Sequence, residues 1–539
     1  MNAPAVRIEN LTVALPKGAD RAEALTDVSL DLHRGEILCV VGESGSGKSM
    51  LANAIMGLLP EGVAAKQGRI HLGETDLLAL TEAQLRDLRG RRMAMIFQEP
   101  MSALNPLMRV GDQIAEMFEA HDQFTDTERR ARALKLIEEV GLPDPPKILR
   151  AYPFQLSGGQ RQRVMIAMAL ALEPTVLIAD EPTTALDVTT QAQILALIKQ
   201  LQATHGTAVL FITHDFGVVA EIADRIAVMQ NGVLVELGTA QDVLSKPTHD
   251  YTQRLIAAVP SLTPPKSTPL KDTPEVLSAD RLSKTYSTRS GWFSSTRNVK
   301  AVDDVGFILR KGETLGLVGE SGSGKSTVGR CLVRLIEPDR GTIKLSGDVV
   351  SGTDAVRRAR RRMQMVFQDP FASLNPRHRV GHILTAGQIA HGTTPAAARV
   401  RAADLLTLVG LSASALDRFP HEFSGGQRQR IGIARALALD PEILIADEPV
   451  SALDVSVQAQ VLALINDLKT QLQLSMLFIT HDLRVAAQVC DRIAVMQMGR
   501  IVEIGDTAAV FANPQHDYTK RLLASVPGVA WSRQREHAR

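Results

Sequence analysis

The stretch GESGSGKS occupies residues 42–49, and the same eight letters return at 319–326. Each copy follows an apolar run (ILCVV; LGLV) and precedes a helix-like pattern (MLANAIMGLL; TVGRCLVRLI). That strand–loop–helix setting is the one in which GxxxxGK[ST] cradles phosphates. Gly42, Gly45 and Gly47, with Glu43, Ser44 and Ser46 between them, bring backbone amides to an anion; Lys48 can reach the outer phosphates and Ser49 can ligate Mg²⁺. Gly319, Glu320, Ser321, Gly322, Ser323, Gly324, Lys325 and Ser326 repeat the set. A single match is compatible with a plain glycine turn, but two matches in the right context read as nucleotide loops.

The duplication extends well beyond the loop. LSGGQRQRV at 156–164 returns as FSGGQRQRI at 423–431, VLIADEP at 176–182 as ILIADEP at 443–449, and FITHD at 211–215 as FITHD at 478–482, each pair 267 residues apart. The glycine-rich loops are 277 apart and the IFQEP/VFQDP glutamines, Gln98 and Gln368, 270 apart, so the second half is 277 − 267 = 10 residues shorter over this stretch. Length changes belong to surface connections, whereas the constant later spacing marks a fixed piece of fold. The organisation expected is one half at 1–260, a proline-rich linker at 261–276 (SLTPPKSTPLKDTPEV), a second half at 277–527, and a polar tail at 528–539 whose last residues, SRQREHAR, are expected to fray.

Composition excludes other classes. The chain has 60 basic and 59 acidic residues, a net charge of +1, which gives no electrostatic footprint for nucleic acid. Cys39, Cys331 and Cys490 stand singly in apolar contexts and read as small buried hydrophobes. Neither an apolar run of about 18 residues nor a signal-peptide pattern is evident, so a cytosolic chain is expected, with any membrane crossing left to another subunit.

Short apolar runs alternate with helix-like stretches, the pattern of a parallel sheet covered by helices. TDTERRARALKLIEEVG reads as a helix with Thr125 and Glu128 as a capping box and Gly141 as its stop, in a helical subdomain inserted into the sheet domain. VLIADEP and ILIADEP end in paired carboxylates, and ligands of open α/β sheets bind beyond the carboxyl ends of strands. Asp180 and Asp447 are placed to hold Mg²⁺, and Glu181 and Glu448 to orient the attacking water. His214 and His481 end their strands 34 residues after those aspartates, where a histidine can bond a γ-phosphate. Ser157, Gly158, Gly159 and Gln160, like Ser424, Gly425, Gly426 and Gln427, open a helix and present free amides to an anion; a simple N-cap is the plainer alternative.

In these motifs and their order, the sequence resembles the ATP-binding cassette (ABC) family over nearly its whole length. The resemblance implies an α/β fold of two P-loop NTPase cassettes in tandem, each a mainly parallel sheet core with an N-terminal antiparallel β subdomain and an inserted helical subdomain. It also implies hydrolysis of ATP with Mg²⁺. In that frame the glycine-rich loops are Walker A, Gln98 and Gln368 the Q-loop glutamines and further Mg²⁺ ligands, LSGGQ and FSGGQ the signatures, Asp187 and Asp454 the D-loop aspartates. Head-to-tail pairing would place Ser157 and Gly159 at the Lys325 site, and Ser424 and Gly426 at the Lys48 site.

The flanks of the two glutamines, with KPTHDYTQRLIAAVP and NPQHDYTKRLLASVP, are similar to the oligopeptide, dipeptide and nickel importer group, and the fusion of both cassettes is most similar to Yej-type peptide importers, which also take up microcin C. Glutathione importers share the fused form. Resemblance then implies two transmembrane permease subunits, a periplasmic peptide-binding protein reached indirectly, and a peripheral place on the inner membrane. A soluble two-cassette protein acting on ribosomes or DNA is the rival reading. Cysteine-bound iron–sulfur centres of some relatives are not expected, since no cysteine follows Cys490. Tyr286 in LSKTY fits the aromatic that stacks on adenine, whereas Leu15 stands at the matching place in the first half and no aromatic precedes Phe97. The run RRARRR at 357–362 reads as a solvated helix face.

Overall fold

The computed structural model describes residues 3–183, 186–265, 273–288, 297–451 and 453–537; the middle of the proposed linker lies outside the described residues. The chain divides into two compact units, Met1–Leu186 with Thr190–Ala258 and Pro527–Arg539, and Asp187–Thr189 with Val259–Val526.

In the first unit five strands run parallel in the order Arg225–Gln230, Ile37–Val41, Ala208–Ile212, Val176–Asp180, Met93–Ile96, with Val233–Thr239 antiparallel on one edge. Ile37–Val41, Val176–Asp180 and Ala208–Ile212 are buried at every position, which is why they read as unbroken apolar runs. The second unit repeats the order as Arg492–Gln497, Thr314–Val318, Ser475–Thr480, Ile443–Asp447, Met363–Val366, edged by Arg500–Asp506. A second, antiparallel sheet opens each unit, built on Val6–Ala14 and on Glu275–Thr288. In the first unit both sheets share one core, where Leu11, Leu25 and Ile70 join Leu38, Ile178 and Leu210.

Asp126–Glu139 forms the expected helix of the inserted subdomain. Thr125 and Glu128 make a reciprocal capping box, Ile137 and Val140 are buried, and Gly141 stops it at φ 66°. The second unit has Pro395–Leu408, capped by Thr394. The length difference between the halves falls in connections: Leu77–Ala79 is an extra 3-10 turn of the first unit, and the α-helix Pro145–Arg150 is matched by the 3-10 turn Ala413–Asp417.

The arginine run is the solvated helix face expected, with Arg357, Arg358, Arg360 and Arg361 exposed. Arg360, however, donates to the carbonyls of Val333 and Arg334 at 3.2 and 2.7 Å, and Arg362 pairs with Glu442 at 2.6 Å. Arg360 thus satisfies carbonyls at the end of the helix that follows the second glycine-rich loop. Arg89 does the same for Met56 and Gly57 in the first unit, at 2.9 Å each.

The tail expected to fray forms the helix Val529–His537. Nine residues do not hold a helix in water by themselves; contacts within the first unit do. Gly528 donates its amide to Glu221 at 3.4 Å, Arg535 donates to the Ile256 carbonyl at 2.6 Å, and Ser532 is fully buried.

Candidate functional site

Each glycine-rich loop leaves the carboxyl end of a buried strand and turns into a helix, Lys48–Met56 or Lys325–Leu332. The turn is closed by Gly47 and Gly324, both left-handed at φ 102° and 104°. A Cβ on Gly324 would lie 2.0 Å from the Ala301 carbonyl and one on Gly47 3.0 Å from the Ala24 carbonyl, on a backbone conformation that only glycine adopts without strain. Lys48 Nζ donates to the carbonyls of Gly42 and Glu43, both at 2.8 Å; Lys325 Nζ donates to those of Gly319 and Glu320 at 2.8 and 2.7 Å. Both lysines are buried. Burial pulls the Lys325 ammonium below its ordinary range, against the pull of Glu448 and Asp447.

The paired carboxylates arrive from the neighbouring strand ends. Ser49 Oγ donates to Asp180 at 3.2 Å and Ser326 Oγ to Asp447 at 2.8 Å. Burial raises both aspartates, partly offset by those hydroxyls. Glu181 and Glu448 hold left-handed backbones, φ 46° and 47°, a conformation that costs a non-glycine residue about 1–3 kcal/mol and collects at functional sites. Their surroundings hold them there: Glu181 donates its amide to the Ile212 carbonyl at 3.0 Å and Glu448 to Ile479 at 2.9 Å. Gln98 Nε2 donates to Glu181 at 3.0 Å and Gln368 Nε2 to Glu448 at 2.9 Å. His214 Nδ1 lies 3.1 Å from Glu181 and His481 Nδ1 3.2 Å from Glu448. Burial depresses the His481 pKa, but the hydrogen bond and charge of Glu448 outweigh it and the net shift is upward. For Glu448 burial acts upward, and His481 outweighs it, leaving the carboxyl below its usual range.

In both units, then, lysine, serine, aspartate, glutamate, glutamine and histidine from four separate motifs converge on one strand-end crevice. Comparison with known proteins finds the ABC transporter family profile at residues 25–184 and 302–451, and the oligopeptide/dipeptide transporter C-terminal region at 235–290 and 502–538. The chain belongs to the ABC transporter family. It is 48% identical over 528 residues to the peptidoglycan transport ATP-binding protein YejF of Agrobacterium fabrum, covering 97% of this chain and 96% of that one. It is also 48% identical over 564 residues to the glutathione import ATP-binding protein GsiA of Escherichia coli K12, covering 98% of this chain and 90% of that one. The chain is an ATPase of ABC transport, and each unit is one cassette.

The signatures begin their helices as the plainer reading had it. Ser157 caps Gly158–Leu170 in a reciprocal box with Gln160, and Ser424 caps Gly425–Leu437 with Gln427. The second glycines have a packing cause besides any ligand. A Cβ on Gly159 would lie 2.6 Å from Thr190 Cγ2, and one on Gly426 2.4 Å from Val457 Cγ1. Gly158 has open space around it and Gly425 only the Leu453 side chain at 3.8 Å; each is the first residue of its helix, where an amide has no intrahelical acceptor.

Tyr286 lies on the strand Glu275–Thr288 and is 39% exposed. Leu15 instead packs against the core of its cassette. Sequence reasoning missed Arg21, whose Nη2 donates to the Gly45 carbonyl at 2.6 Å; it stands in an irregular turn, and no motif marks it. For a metal, no group of three His, Cys, Asp or Glu side chains among the described residues could hold one unaided. Ser49 with Asp180, and Ser326 with Asp447, supply hard oxygens beside the phosphate loop, which suits Mg²⁺, an ion that completes its shell with water and substrate phosphates.

Proposed function

We propose that the chain drives a bacterial peptide importer by hydrolysing ATP at two composite sites, each formed by the Walker A loop of one cassette and the signature of the other. The observation that carries this reading is that both cassettes hold the complete set of groups in the same geometry. Lys48 and Lys325 bind the outer phosphates, and the loop amides from Gly42 to Ser49 and from Gly319 to Ser326 cradle them. Ser49, Asp180 and Gln98, and Ser326, Asp447 and Gln368, would hold Mg²⁺, which neutralises phosphate charge when bound. Glu181 and Glu448 orient the attacking water and accept its proton; His214 and His481 hold the glutamates and bond the γ-phosphate. Hydrolysis of this kind is mostly positioning and charge stabilisation, so the set is chemically sufficient. Ser157, Gly158, Gly159 and Gln160 close the Lys325 site, and Ser424, Gly425, Gly426 and Gln427 the Lys48 site.

Among the described residues no helix is long and apolar enough to cross a membrane, so the proposed assembly includes two permease subunits, with the chain peripheral on the cytoplasmic face of the inner membrane and a periplasmic binding protein supplying cargo. Peptides are the cargo class supported by the oligopeptide/dipeptide C-terminal region and by relatives named for peptidoglycan and glutathione transport, both molecules with peptide linkages. Purification from detergent-solubilised membranes is expected to recover two polytopic proteins with the chain; association with ribosomes instead would overturn the importer reading.

The two sites are proposed to differ at the adenine. Stacking of a base on an aromatic is worth about 1–3 kcal/mol, so the Lys325 site, with Tyr286, binds ATP more tightly than the Lys48 site, with Leu15. Tyr286→Leu is expected to lower ATP affinity at the Lys325 site by about tenfold or more. Nucleotide titration of variants that keep one working site each checks this, and equal affinities would count against it.

A further inference from the structure

Far from the motifs in sequence, each glycine-rich loop is fastened by a tyrosine. The Glu43 amide donates to Tyr251 Oη at 3.0 Å, and Tyr251 Oη donates to the Glu43 carboxylate at 3.3 Å, across 208 residues. In the second cassette the Glu320 amide donates to Tyr518 Oη at 3.1 Å, across 198 residues. Both tyrosines are buried, and burial pushes the Tyr518 hydroxyl up to about 12, so it keeps its proton.

What aims each ring is also duplicated. Glu236 accepts from the amides of Thr248 and His249 at 2.8 and 3.3 Å, and Glu503 from those of Gln515 and His516 at 2.8 and 3.0 Å. His249 Nδ1 then accepts the Tyr251 amide, and His516 Nδ1 the Tyr518 amide, each at 3.2 Å. A carboxylate fixes a turn, the turn's histidine caps a helix, and the first turn of that helix delivers the tyrosine to the loop. The lysine grips Gly42 and Glu43 through their carbonyls; the tyrosine grips Glu43 through its amide and carboxylate. The loop is therefore tied by side chains on both its carbonyl and its amide groups, and a preordered loop binds phosphate with less ordering cost. The tyrosines lie inside the stretches that match the oligopeptide/dipeptide C-terminal region, so this region reaches the nucleotide loop of its own cassette.

We propose that Tyr251 and Tyr518 are positioning residues for ATP: through one hydroxyl each, the C-terminal region of a cassette holds the second residue of its phosphate loop and sets the loop's affinity for nucleotide. The proposal rests on the reading of both loops as ATP sites. The test uses the whole chain as Y251F, Y518F and the double variant, each losing only oxygen, with fluorescent ATP analogue titration, steady-state ATPase kinetics and thermal melting. The expected result is a rise of about three- to tenfold in KM and Kd for ATP in the double variant, the fold-change of losing the hydroxyl's one or two hydrogen bonds at each site, with kcat within about twofold. Unchanged KM and Kd would overturn it, as would a fall in kcat at constant KM that tracks lower melting temperature. The single variants keep the test available if the double variant does not fold. Failure of the unaltered chain to bind ATP would remove the nucleotide reading itself, an outcome distinct from failure of the tyrosines.

Discussion

Replacing Glu181 and Glu448 together by glutamine is expected to lower ATP turnover by about 10²–10⁴-fold, the contribution of a positioned general base, while ATP still binds. A carboxamide keeps the volume of the side chain and so the left-handed backbone at φ 46° and 47°. It cannot accept the proton of an attacking water. It also offers one oxygen where the carboxylate takes a hydrogen bond from Gln98 or Gln368 and faces His214 or His481. Each single variant should turn over ATP more slowly than the unaltered chain, because each cassette holds a complete set. Steady-state phosphate release measures this, and a single variant with unchanged turnover would remove that glutamate from catalysis.

The second large effect lies in binding. Lys48→Met or Lys325→Met is expected to weaken ATP binding at its own site by about 10- to 100-fold, since hydrogen bonds to a charged group contribute about 1.5–3 kcal/mol. Each ammonium is buried and bonded to two loop carbonyls, so methionine also leaves those carbonyls without their donor. Titration with nucleotide, with one lysine altered at a time, separates the sites. Affinity unchanged in both variants would refute the assignment of the loops.

Much of this was legible in the amino-acid sequence because the chemistry is local there. Gly42 to Ser49 carries its own strand, turn and helix, and Thr125 with Glu128 announces a helix start within four residues. The aspartates and glutamates were legible through position, since a parallel strand buried on both faces is an apolar run and its carboxyl end is where the run stops. What escaped has no local signature. Tyr251 and Glu43 are 208 residues apart, and the HDYT segments looked like family markers with no physical task. Arg21 sits in an irregular turn. The left-handed glutamates are invisible to propensity, which assigns such a conformation to glycine or asparagine; only the surrounding hydrogen bonds impose it. The helix Val529–His537 was read as frayed because its own sequence is too short and polar to fold alone, and the contacts that hold it come from residues near 217–256.

Those contacts bear on how the polypeptide matures. Synthesis runs from the amino end, and domains generally fold as they emerge. Yet the groups that meet Glu221 and the Ile256 carbonyl, Gly528 and Arg535, leave the ribosome only after the second cassette. The first cassette therefore waits with part of its surface bare for roughly 270 further residues of translation, at about 5–20 residues per second, so the two cassettes are made complete almost together.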